Sequence, residues 1–82
     1  MSVSVYPVPF SDEATVKITT GQNLSGSVFV MYDETGREVN RINIPAAMQF
    51  SIHSGSLADG MYLYQIINNG QTVYNGKLMI ER

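Results

Sequence analysis

The 82-residue chain has no cysteine. That excludes a disulfide framework and any thiolate zinc site, and it removes the usual clue to redox compartment. Charge is also scarce. Only 15% of residues are charged, five Lys plus Arg against seven Asp plus Glu, for a net charge of −2. A nucleic-acid partner would require a basic stripe, and the sequence has none. No apolar run approaches the roughly 20 residues of a membrane helix. No signal peptide is expected, because Met1 runs straight into the strand-like Ser2-Val3-Ser4-Val5-Tyr6. What remains is a composition with 44% hydrophobic residues, which suits a globular chain and not a disordered one. A chain this short holds one small domain, residues 1–82, around one modest core.

Helix signals are nearly absent as well. The chain alternates with period two almost throughout, the pattern of half-buried strands. It predicts seven strands, at about 2–6, 14–20, 27–33, 37–44, 47–53, 61–67 and 72–80. The clearest alternations are Val16/Ile18, Val28/Val30/Tyr32, Met48/Phe50/Ile52 and Tyr62/Tyr64/Ile66. Turn residues separate them, at Pro7 and Pro9, Gly21 to Gly26, Gly36, Pro45, Gly55, Gly60 and Gly70. Such spacing predicts an all-β fold, a sandwich of about seven antiparallel strands, because a lone sheet leaves its apolar face uncovered. The predicted core comprises Val16, Ile18, Val28, Val30, Phe50, Ile52, Tyr62, Tyr64, Ile66, Leu78 and Ile80.

Two turns can be specified further. Asp33-Glu34-Thr35-Gly36 suits a three-residue hairpin loop that ends on a left-handed glycine. At Asn68-Asn69-Gly70 two loop lengths compete. The three-residue loop is favoured, because it gathers Tyr62, Tyr64, Ile66, Tyr74, Leu78 and Ile80 on one face.

The search for chemistry finds little. His53 is the one histidine, with no cysteine or carboxylate pair beside it, so it is expected at the surface and not on a metal. Asp12 and Glu13 alternate to opposite sides, as expected of a solvated turn. Asp33, Glu34 and Glu38 surround a hairpin. Ser54 and Ser56 flank Gly55 but form no nucleophile elbow, and there is no phosphate loop. Asn23-Leu24-Ser25 matches the glycosylation sequon, a short and frequent pattern. The five tyrosines could make a sugar platform, but their alternation favours core and sheet-face packing. No catalytic residue, metal or cofactor is assigned, and no enzyme is expected.

An ordered set of short motifs goes further. Tyr6-Pro7-Val8-Pro9-Phe10 follows the first strand. Val30-Met31-Tyr32-Asp33 and Gly36-Arg37-Glu38-Val39 follow, then Leu57-Ala58-Asp59-Gly60-Met61-Tyr62-Leu63. The chain ends in Gly76-Lys77-Leu78-Met79-Ile80-Glu81-Arg82. In order and spacing this set resembles the C-terminal sorting domain (type A) of cargo proteins of the type IX, or Por, secretion system of Gram-negative bacteria. The resemblance runs from about Tyr6 to Arg82. It implies an immunoglobulin-like β-sandwich, excised from a larger secreted precursor whose cargo domain lies N-terminal. It further implies a signal that directs the cargo through the periplasm and the outer-membrane type IX machinery, followed by removal by a surface sortase. The cargo would then be secreted or held at the cell surface.

The motifs have physical readings of their own. Pro7 and Pro9 end the first strand and stiffen a corner. Phe10 caps one end of the core. Gly36 and Gly60 admit backbone shapes that a Cβ hinders. Tyr62 offers its ring to the core and its hydroxyl to a loop. The family usually carries Asn between the two prolines, where this chain has Val8. Tyr6 to Phe10, Gly60 and Tyr62 serve either folding alone or direct recognition. The better candidate for direct recognition is the terminal strand, Lys77, Leu78, Met79, Ile80, Glu81 and Arg82, with Lys77 directed to solvent and the strand open to strand addition. A weak homodimer is expected too, through exchange of the first strand about its stiff corner or through edge pairing of the uncharged run Val28 to Tyr32.

Overall fold

The computed structural model describes residues 1–24 and 26–82. The sequon's Ser25 therefore lies outside the described residues. Seven strands follow one another: β1 (Ser2–Tyr6), β2 (Glu13–Thr19), β3 (Val28–Tyr32), β4 (Glu38–Asn43), β5 (Gln49–His53), β6 (Gly60–Asn68) and β7 (Gln71–Ile80). They form two antiparallel sheets, ordered β1-β2-β5 and β4-β3-β6-β7. No helix occurs among the described residues. The expected all-β, immunoglobulin-like sandwich is therefore the fold observed.

The sheets meet over one core. Val16, Ile18 and Ile52 come from the first sheet, and Phe29, Met31, Tyr62, Tyr64, Ile66, Leu78 and Ile80 from the second. Phe29 of β3 meets Phe50 of β5 edge-on across the sandwich at 5.3 Å, and it stacks on Tyr64 at 5.0 Å. Such ring pairs add to the burial term itself. Phe10, Ala14, Leu24 and Ile44 close the core as well, none of which the alternation identified.

Strand β3 corrects the predicted core. Phe29 and Met31 face inward, while Val30 lies on the outer face opposite Arg41 and Gln65 and stays outside the core cluster. Phe29, Val30 and Met31 are fully buried, while Val28, on the same side as Val30, is half-buried and also stays outside the core cluster, so neither valine faces inward as expected. Every residue of Val28-Phe29-Val30-Met31-Tyr32 is apolar or aromatic, so the period-two contrast that marks an inward face is missing. β3 also lies between β4 and β6, so its edge is fully paired. The edge-pairing route to a homodimer is excluded for this strand.

The hairpins differ in how closely they follow expectation. Asp33 and Arg37 close the three-residue loop, with the Asp33 amide donating to the Arg37 carbonyl at 2.9 Å and the Gly36 amide to the Asp33 carbonyl at 3.0 Å. Gly36 has φ +87°, as such a loop requires. At the β6–β7 turn the loop has two residues, not three. Asn69 and Gly70 both take positive φ, 53° and 77°, and Asn68 pairs with Gln71. A bulge then inserts Val73, so Ile66 pairs with Tyr74, Tyr64 with Gly76 and Tyr62 with Leu78. The expected face is preserved, but its partners are displaced by two residues.

Candidate functional site

The terminal strand and the loops that close around its end form the candidate site. After β1, Pro7, Val8 and Pro9 leave the first sheet on an exposed corner, with cis peptide bonds before both prolines. The chain then reaches the far edge of the second sheet. There Phe10 pairs with Ile80 in parallel, donating its amide to the Met79 carbonyl at 3.1 Å and accepting from the Glu81 amide at 2.9 Å. Phe10 is 1% exposed and fills the end of the core. Beside it, Ser54 Oγ donates to the Ser11 carbonyl at 2.8 Å, and the Ser54 amide donates to the Asp12 carbonyl at 2.9 Å. Ser54 is buried but fully satisfied, as an interior hydroxyl must be.

Gly60 and Tyr62 shape the adjoining loops. Gly60 opens β6 with φ +150°, and a Cβ there would touch Glu34 Oε1 at 3.6 Å. Tyr62 is buried, and its hydroxyl donates to the Ala58 carbonyl at 2.6 Å. That arrangement ties the loop before β6 to the strand itself. Tyr62 and Tyr64 belong to the core and leave no aromatic platform at these positions.

The candidate recognition residues divide by parity. Leu78 and Ile80 are buried in the core, Met79 is half-buried on the outer face, and Lys77 and Glu81 are exposed. Arg82 is exposed yet held. Its amide donates to Asp59 Oδ2 at 3.1 Å, its Nη1 to Asp59 Oδ1 at 3.2 Å, and its Nη2 to the Gly55 carbonyl at 2.9 Å. Nη1 also donates to the Leu57 carbonyl. The outer edge of β7 is closed at Met79–Glu81 by Phe10, so an added strand would have to pair further back.

The three arginines each face a carboxylate. Arg37 meets Asp33 at 3.1 Å, Arg41 meets Glu38 at 2.8 Å and Arg82 meets Asp59 at 3.2 Å. Thr35 and Arg37 hold the Asp33 carboxyl below its usual range, through the Thr35 hydroxyl first. Hydrogen bonding to Arg41 lowers Glu38 in the same way. Lys77 has no ion-pair partner among the described residues. His53 stands exposed on the first sheet, 3.7 Å from Glu13. No group of three metal-ligating side chains exists among the described residues.

The sequence reasoning missed the Arg82–Asp59 contact. The observed register, Gly60 opposite Ile80, extrapolates to place Arg82 beside Asp59, whereas the three-residue loop would have placed it farther along. The bulge at Val73 is the feature that hid it.

Residues 4–81 match the family described as the secretion system C-terminal sorting domain. The chain belongs to this family. It is a C-terminal sorting signal for type IX secretion. The family is a signal, not a known catalyst, and it acts as part of a cargo precursor that engages the type IX machinery for export across the outer membrane. No curated protein matches the sorting domain significantly.

Proposed function

We propose that the domain works as a folded, single-unit address, residues 1–82, carried at the end of a larger cargo protein. The cargo lies N-terminal to it, and the end of β7, Lys77 to Arg82, is presented to the outer-membrane machinery. The domain performs no catalysis. A surface sortase removes it after export, leaving the cargo at the cell surface or in the medium. The observation that supports this reading is the placement of Lys77. It is exposed on a strand whose neighbours Leu78 and Ile80 are buried, so folding itself fixes where the ammonium is displayed. Weak self-association by exchange of β1 belongs to the same reading. β1 is an edge strand that pairs with β2 alone.

The test fuses the chain to the C-terminus of a periplasmic reporter in a type IX-competent strain. The exported reporter should have the mass of the reporter without the domain. In a strain lacking the sortase it should retain the domain. Export of an uncleaved fusion from the competent strain would refute the removal step. Retention in the periplasm would refute the address.

A further inference from the structure

The two outer faces of the sandwich are chemically unlike. That of the first sheet carries Ser4, Lys17, Gln49, Ser51, Glu13 and His53, all exposed, with Tyr6 its one exposed aromatic, at the end of β1. That of the second carries Met61 and Leu63, exposed by 39% and 43%, opposite Met79 and Lys77 respectively. The proline corner brings Val8, 50% exposed, to the same place. Two hollows open there. One of about 230 Å³ is lined by Val8, Pro9, Met61 and Met79, with Lys77 on its wall. The other, of about 400 Å³, runs past Leu63, Tyr32 and Asn75 to the same lysine. An apolar strip is thus centred on Lys77, which has no carboxylate beside it among the described residues.

We infer that this strip of Val8, Met61, Leu63 and Met79 around Lys77 is a docking surface. Its partner is a protein of the secretion machinery that offers apolar side chains flanking a carboxylate. Charge complementarity selects that partner. The arginines are paired with Asp33, Glu38 and Asp59, and of the two lysines without a carboxylate partner among the described residues, Lys17 lies on the other sheet, so Lys77 is the cation at the strip that can meet an incoming acid. Exposed apolar groups ringed by polar ones mark interaction sites, and an unpaired charge among them sets register and partner choice. The strip includes residues of the proline corner and of β6 that lie far from the C-terminus in sequence. Recognition is then of a composite face and not of a terminal peptide. The inference rests on the address reading above and specifies what is read.

The experiment uses the same reporter fusion with Met61→Ser/Leu63→Ser, Lys77→Glu and Lys77→Arg, each checked by thermal melting. The unmodified chain and Lys77→Arg should export the reporter. The other two should fold and leave it in the periplasm, with surface yield down about tenfold or more. A photo-crosslinking residue at position 63 should capture an outer-membrane machinery protein, and the same residue at position 51 should not. Normal export of both Met61→Ser/Leu63→Ser and Lys77→Glu overturns the docking surface and leaves the address reading standing. Failure of the unmodified chain to export overturns both. Crosslinking from position 63 to a second copy of the chain, or to lipid, assigns the strip to that occupant and overturns the proposal. If the β6 double variant melts early, Val8→Ser, outside every strand, takes its place beside Lys77→Glu.

Discussion

Gly76 lies directly opposite Tyr64 in the β6–β7 ladder, and the tyrosine ring covers it so closely that a Cβ would come within 2.6 Å of both Cζ and Oη. Tyr64 has little room to retreat, because it stacks on Phe29 at 5.0 Å and on Tyr74 at 6.2 Å. Gly76→Ala should therefore destabilise the domain by about 1–3 kcal/mol, as overpacking does. In a domain of this size, each kcal/mol lowers the melting temperature by roughly 4–8 °C. Combining it with Tyr64→Leu should cost less than the sum of the two single changes. An unchanged melt for Gly76→Ala would remove the close contact from the account.

The same tyrosine predicts a response to alkali. Burial first, then Tyr74, pushes the Tyr64 phenol up to about 12 from 10.0. Below the unfolded value both states keep the proton, so the contribution is intact. Above it the unfolded chain ionises first, and stability falls as pH rises toward the folded value. Denaturation midpoints measured between pH 8 and the region near pH 12 should decline, and Tyr64→Phe should flatten the decline. An equal decline in Tyr64→Phe would assign the effect to other groups.

Much of this fold was legible in the sequence. All seven strands were found with boundaries within two residues, because turn residues bound them and polar and apolar residues alternate on β1, β2 and β5. The largest displacement was at β5, where Met48 takes φ 58° and delays the strand to Gln49. The Asp33–Gly36 loop was legible from its turn residues. β3 was not, since an unbroken apolar run carries no parity. The β7 register was half legible: the requirement to bury Leu78 and Ile80 fixed the face, while the Val73 bulge that reconciles it with a two-residue turn leaves no local signature. For the site, the exposure of Lys77 followed from alternation. The Arg82–Asp59 tie depended on that bulge, and the apolar strip depended on the proline corner folding back beside Met61 and Met79.

Asp33 organises the β3–β4 loop. Its Oδ1 accepts from the Thr35 amide at 2.9 Å, the Thr35 hydroxyl at 2.6 Å and the Arg37 amide at 3.0 Å. Its carboxyl is held below its usual range in the folded state. The resulting stability is present above the unfolded value and is lost as pH falls through the folded one. Asp33→Ala should lower the melting temperature at neutral pH and matter less in acid. A pH-independent difference between the two chains would contradict this.

Arg82 is an anchor in this structure, so its removal should be felt in the loop it holds. Arg82→Ala should raise amide hydrogen exchange over residues 55–59. The change in melting temperature should be small, because exposed ion pairs contribute only about 0–1 kcal/mol. Asp59→Ala should reproduce the exchange effect while leaving the charge of Arg82 in place. Unaltered exchange in both variants would show that the tie does not hold the loop.

Leu78 is 2% exposed and sits opposite Tyr62. Leu78→Ala should cost about 2–5 kcal/mol, a large share of the stability of so small a domain. A chain that must be folded to act should then lose both its thermal transition and its sorting activity. Full export of an unfolded Leu78→Ala fusion would mean that the signal is read as a linear peptide.

The central claim is that this 82-residue chain is sufficient to address a protein to the type IX route. The most direct measurement is the fraction of a fused reporter found outside the cell in two matched strains, one with and one without the type IX outer-membrane channel. The account predicts reporter at the surface or in the medium of the first strain and confined to the periplasm of the second. Equal distribution in the two strains would contradict it.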